Sequence, residues 1–193
     1  MPHSFTTQQI NRLGNSLVYL SNGVSEFNKT KILKLLFLLE ESSVKKFGNP
    51  FFGFDFQIWK YGPVLKDVYI DLSEENPLLL KDFLKKDSSE FVPLVIFNDD
   101  EFSDNDIYLM DKIIEFAKHK NASDLVKYTH GDNSLWKKSA LRYGILEQLE
   151  NEHINSTDKN IDFSLLFEQD DFLKNKYESA LENTEFINYL KGR

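Results

Sequence analysis

The chain has 193 residues, with 31 Asp and Glu against 23 Lys and Arg and a formal charge of −8. That length suits one domain burying roughly 70% of its unfolded surface, and 17 Phe within 41% hydrophobic residues supply a core without disulfides. The acidic balance argues against direct nucleic-acid binding, the absence of Cys removes thiol chemistry, and the longest apolar run, residues 35–39, is far too short to span a membrane.

In chain order, Thr6 and Gln9 read as a capping box ahead of Ile10, Leu13, Leu17 and Leu20 at helical spacing. Asn28 caps a second helix running to about Lys46, which Gly48 stops. Its apolar residues, Ile32, Leu33 and 35–39, point nearly all round, the mark of a central helix. Lys29, Lys31 and Lys34 sit near its entrance and are expected to remain wet. Phe52, Phe54, Phe56 and Ile58 then alternate as in a half-buried strand, and residues 91–97 form a second β-like run held to a sheet edge by Pro93. Between these runs, Pro63 suits the first position of a helix carrying Val64, Leu65, Val68, Tyr69 and Leu72. Another proline-led helix is expected from Pro77 with Leu79, Leu80, Phe83 and Leu84.

Further helices are expected after caps at Ser103, Ser123 and Ser134, the last carrying Trp136, Ala140, Leu141, Ile145 and Leu149. A polar interruption at 151–160 precedes an apolar segment at 161–167 and a helix from about Asp170, with Leu173, Tyr177, Ala180, Leu181, Thr184 and Ile187 on one face. The expected fold is mainly α (α+β), a helical body around a central apolar helix with a small antiparallel β element. Residues 1–150 are expected to form the domain, and 151–193 a helical extension packed on it. The first twenty residues lack a basic region leading into an unbroken apolar run, so a cytoplasmic location is expected.

Two signatures stand out. In Trp59-Lys60-Tyr61-Gly62-Pro63-Val64, glycine permits a sharp turn, proline fixes the next φ, and two large aromatics are left on a stiff corner. Trp and Tyr anchor interfaces because each joins large apolar area to one polar atom, although both would serve equally to close a core. The second signature is Thr129-His130 with Trp136 beyond it. His130 could act as a general base or metal ligand with Asp132 or Asp124, but the other histidines show no ligand spacing. A hydrogen bond from His130 to a loop carbonyl, with Trp136 packed over the ring, is the simpler expectation. The run Asp99, Asp100, Glu101, Asp104 and Asp106 reads as an exposed loop and helix cap, or as a surface that steers toward a basic partner.

The residues Lys34-Leu35-Leu36-Phe37-Leu38, Trp59, Gly62-Pro63-Val64, Tyr69, the helix capped by Ser103, Thr129-His130 and Trp136 resemble, in order and spacing, the SocA-like Panacea antitoxin domain over roughly residues 10 to 150. Phe37, Gln57-Ile58 and Leu135 depart from the family's usual residues. The resemblance implies a non-enzymatic antitoxin, needing no cofactor or metal, that binds and neutralises a toxin, the product of a neighbouring gene in bacterial or phage toxin–antitoxin pairs. It also implies an alternative, an adaptor that delivers a toxin to an ATP-dependent protease. A small hydrolase or metal enzyme centred on His130 is the remaining expectation. On the binding reading the partner-contacting set is Trp59, Tyr61, Gly62, Pro63, Val64, Tyr69, His130 and Trp136, with the acidic surface of Asp99, Asp100, Glu101, Asp104 and Asp106 as a further candidate.

Overall fold

The computed structural model describes residues 5–167 and 170–191. Helices α1 (Thr7–Ser21) and α2 (Lys29–Phe47) begin at the expected caps, and Gly48 closes α2 in the left-handed conformation with φ +64°. Every α2 residue from 31 to 40 is buried, so this helix is the axis of the core. Around it lie α3 (Lys66–Asp71), α4 (Asp104–Ala117), α5 (Ala122–His130) and the last helix, α8 (Asp171–Lys191). Helices α6 (Leu135–Arg142) and α7 (Leu146–Glu150) and a 3-10 turn (Phe163–Leu166) complete the helical body. Among the described residues the strands form two separate antiparallel ladders, β1 (Gln57–Trp59) with β2 (Gly62–Val64) and β3 (Leu84–Asp87) with β4 (Glu90–Pro93), beside isolated bridges at Asn28–Glu90 and Gln57–Asn160. The fold is mainly α, as the sequence pattern indicates. Among the described residues no helix is long and apolar enough to cross a membrane.

Several local expectations are corrected. Lys31 and Lys34 are not wet: they are 0% and 2% exposed. Lys31 satisfies its ammonium by donating to the Ser25 and Lys120 carbonyls at 2.6 and 2.7 Å. Pro63 does not open a helix but pairs with Ile58 across the β1–β2 ladder, and α3 starts at Lys66. Only residues 57–59 of the alternating phenylalanine run are strand. Phe52, Phe54 and Phe56 are buried in irregular chain, because Glu40 on α2 accepts the Phe52 and Gly53 N–H groups at 2.7 and 3.2 Å and so takes the place of a strand partner.

The helix expected from Pro77 is a set of turns. The carboxylate of Asp71 accepts the N–H groups of Leu78, Leu79 and Leu80 at 2.7, 2.8 and 3.1 Å, which offers the backbone a local alternative to helical bonding. Leu84 therefore enters β3, which pairs with β4 rather than with the 52–58 run. The second β-like run stops at Pro93, and Leu94, Val95 and Ile96 emerge exposed. Asn121, not Ser123, caps α5, forming a capping box with Asp124. Gly144, at φ +66°, divides the helix expected after Ser134 into α6 and α7, and leaves Leu141 exposed. On α8, Tyr177 is buried, whereas Leu181 and Ile187 are exposed; the side chain of Thr184 lies outside the described residues.

Candidate functional site: the corner at residues 59–64

The β1–β2 register pairs Gln57 with Val64, Ile58 with Pro63 and Trp59 with Gly62, which leaves Lys60 and Tyr61 at the hairpin tip. Gly62 takes φ +99°, a conformation a side chain would strain, and a Cβ built there would lie 2.7 Å from Lys34 Nζ and 3.2 Å from Thr129 Oγ1. Glycine is thus required twice, by the turn and by the close approach of α2 and α5. Pro63, Val64 and Leu65 are buried, so the hairpin is anchored along its returning strand. Its tip projects, with Tyr61 64% exposed.

Two hydrogen bonds fasten this corner from beneath, and α5 and α6 pack behind them. The Trp136 indole N–H donates to the Trp59 carbonyl at 2.9 Å. His130 lies edge-on to Trp136 with ring centroids 4.1 Å apart, and its Nδ1 sits 3.3 Å from the Val126 carbonyl. The Lys34 ammonium donates to the Pro63 carbonyl at 3.0 Å. Thr129 is buried, its hydroxyl within hydrogen-bond distance of the Leu125 and Val126 carbonyls, 3.0 and 3.1 Å away. Burial, and after it the neighbouring Lys34 charge, lower the His130 pKa, which favours neutral imidazole. Trp136 thus braces the corner directly, with His130 packed against its ring and Thr129 beside Gly62. Among the described residues no three His, Cys, Asp or Glu side chains converge as metal ligands.

The segment after α7 runs beside β1. Ile58 N–H donates to the Lys159 carbonyl at 2.8 Å, Lys60 N–H to the Asn155 carbonyl at 2.9 Å, and the Thr157 hydroxyl to the Ile58 carbonyl at 2.8 Å. A Lys60–Glu152 ion pair at 2.8 Å adds a further tie. Between this segment, the corner and the start of α2 lies a cavity of about 270 Å³, whose lining includes Lys29, Lys34, Trp59, Tyr61, Tyr69 and Asn155. Trp59 meets Tyr69 edge-on at 4.9 Å, and the Lys29 ammonium lies 4.4 Å from the centre of the Tyr69 ring. Four of the residues singled out in sequence, Trp59, Tyr61, Val64 and Tyr69, thus share one cavity wall. Gly62, Pro63, His130 and Trp136 support it from behind.

The acidic run lies elsewhere and lines no part of this cavity. Asp106 is half-buried, closing a capping box with Ser103 and pairing with Arg12 at 2.7 Å. Glu101 accepts from the Gln8 amide, and Asp100 from Asn98. Asp99 and Asp104 are exposed. Sequence reasoning passed over Lys34 and Asn155 as parts of the site. For Lys34 the signal was available: a lysine inside a helix apolar on every side cannot reach water. For Asn155 there was none, since only the folded chain brings residue 155 against residue 60.

A family model, the antitoxin SocA-like Panacea domain, matches residues 32–137, more than half of the chain. No curated protein and no solved structure matches it.

Proposed function

The chain belongs to the SocA-like Panacea antitoxin family, and from that premise we propose that it neutralises a toxin protein by direct binding through the 59–64 corner. One observation carries the choice of surface: Tyr61 stands exposed at the tip of a hairpin braced by Lys34, Trp136 and the 155–159 segment. A large, amphipathic side chain presented on stiff backbone loses little conformational freedom on docking, which is what an interface anchor needs. Trp59 and Tyr69 add aromatic area in the adjoining cavity. Catalysis has no part in this proposal. The partner is the product of a neighbouring gene of bacterial or phage origin, met in the cytoplasm, with neither nucleic acid nor membrane required. The acidic surface at 99–106, with Asp99 and Asp104 free of the cap, favours a toxin with a basic face.

The test is to express the adjacent gene with and without this chain, following growth and co-purification. Direct neutralisation predicts toxicity that disappears as the two proteins co-elute. Tyr61→Ala should weaken that complex by about tenfold or more while leaving the fold intact, because Tyr61 is exposed. Rescue without a stable complex would favour delivery of the toxin to an ATP-dependent protease. A harmless neighbour that forms no complex would contradict both.

A further inference from the structure

We propose that the cavity beneath the 59–64 corner is a carboxylate-binding site, which takes an acidic group of the partner protein against the Lys34 ammonium, with Lys29 at its mouth. The site deepens, and rests on, the proposal that this corner is the partner surface.

Two lysines of α2 are buried, and they differ in how they are satisfied. Lys31 has two carbonyl acceptors at 2.6 and 2.7 Å and lies away from the cavity. Lys34, 2% exposed and on the cavity wall, donates to the Pro63 carbonyl at 3.0 Å, and no carboxylate of the described residues lies within 4.0 Å of it. An ammonium carries three donors, and buried charges are ordinarily paired. In a chain of net charge −8, the charged groups lining this cavity are both cations, Lys29 and Lys34. Among the described residues no anion faces this ammonium, and a partner carboxylate would supply one and hold its proton on.

The walls describe what carries that anion. Trp59, Tyr61 and Tyr69 present aromatic faces, and Asn155 and Ser156 supply a polar edge. About 270 Å³ is smaller than the roughly 300–1,000 Å³ of typical ligand pockets, and suits one side chain. An acidic side chain or a chain-terminal carboxylate on an aromatic residue has the same chemistry here, and the probes separate them.

The experiment uses the full chain, uniformly labelled with ¹⁵N, and follows the Trp59 indole N–H by NMR. N-acetyl-phenylalanine supplies a terminal carboxylate, N-acetyl-glutamic acid amide a side-chain carboxylate, and N-acetyl-phenylalaninamide the uncharged control. At least one carboxylate is expected to shift the Trp59 signal saturably, with the amide about tenfold weaker or more. Lys34→Met should erase the preference for the acid. Because Lys34 also fastens Pro63, Lys29→Met is the second variant; it removes the other cation of the cavity wall and should weaken carboxylate binding several-fold, with spectral changes in the free protein confined to residues near Tyr69 and Ser73. Acid and amide acting alike, or neither carboxylate shifting Trp59, would overturn the site. If a toxin complex still depends on Tyr61 in that case, this inference fails alone. Carboxylate binding without any toxin complex keeps the site and removes the proposed function.

Discussion

At the scale of single residues, Lys34 is where packing and electrostatics meet. Burial pushes its pKa down to about 7, against an ordinary value of 10.5. Between those two values the unfolded chain holds a proton that the folded chain has released, so this group makes stability rise with pH from about 7 to 10.5. Below 7 both states are charged, and the full cost of the buried ammonium is present. Replacement by Met removes the titration, whereas the lost bond to Pro63 is independent of pH to first order. The melting-temperature difference between wild type and Lys34→Met is therefore expected to move in favour of wild type between pH 7 and about pH 10. A difference that stays constant would mean that Lys34 keeps its proton throughout. The groups around it, Lys29, Tyr61, Tyr69 and the neutral-leaning His130, include no carboxylate that would hold that proton on. Periodicity counting missed this burial because it treats a lysine near a helix entrance as free to snorkel. Here the 62–64 strand covers that face of α2, a contact about thirty residues away in sequence.

Among elements, side chains reaching across the chain decide the places where local signals fail. Pro77 with leucines behind it has the pattern of a helix start, yet the Asp71 carboxylate gathers the same three N–H groups and makes a turn. Pro63 likewise satisfies the rule for a first helical position and the rule for a strand end. The Trp136–Trp59 bond and the 155–161 segment select the strand. By contrast, the caps at Thr6, Asn28, Ser103 and Ser134 are local, and all four are found where the sequence places them. Arg12 on α1 ties together three distant stretches of chain. It donates to the carbonyls of Phe51 and Glu101, pairs with Asp106 at 2.7 Å, and stacks its guanidinium 4.5 Å from the Phe51 ring centre and 5.0 Å from that of Phe102. One side chain thus joins α1, the loop after α2 and the start of α4. Arg12→Ala is expected to destabilise the protein by about 2–3 kcal/mol in chemical denaturation. A loss within about 0.5 kcal/mol, the range of ordinary surface changes, would contradict that role.

Over the whole molecule, the family match ends at residue 137, but the candidate site does not. Lys34, Trp59, Val64 and Tyr69 lie inside the matched region, while Asn155 and Ser156 close the cavity from beyond it. The corner was legible in the sequence because glycine, proline and aromatics carry strong local constraints. The cavity was not, because it is assembled from α2, the hairpin and a late segment with no pattern of its own. The most direct measurement is photo-crosslinking in the complex with the adjacent gene product, with p-benzoylphenylalanine placed at position 61 and, as a control, at exposed position 143. Binding through the corner predicts a crosslink to the toxin from position 61 and none from position 143. A stable complex that crosslinks only from position 143, or from neither, would contradict it.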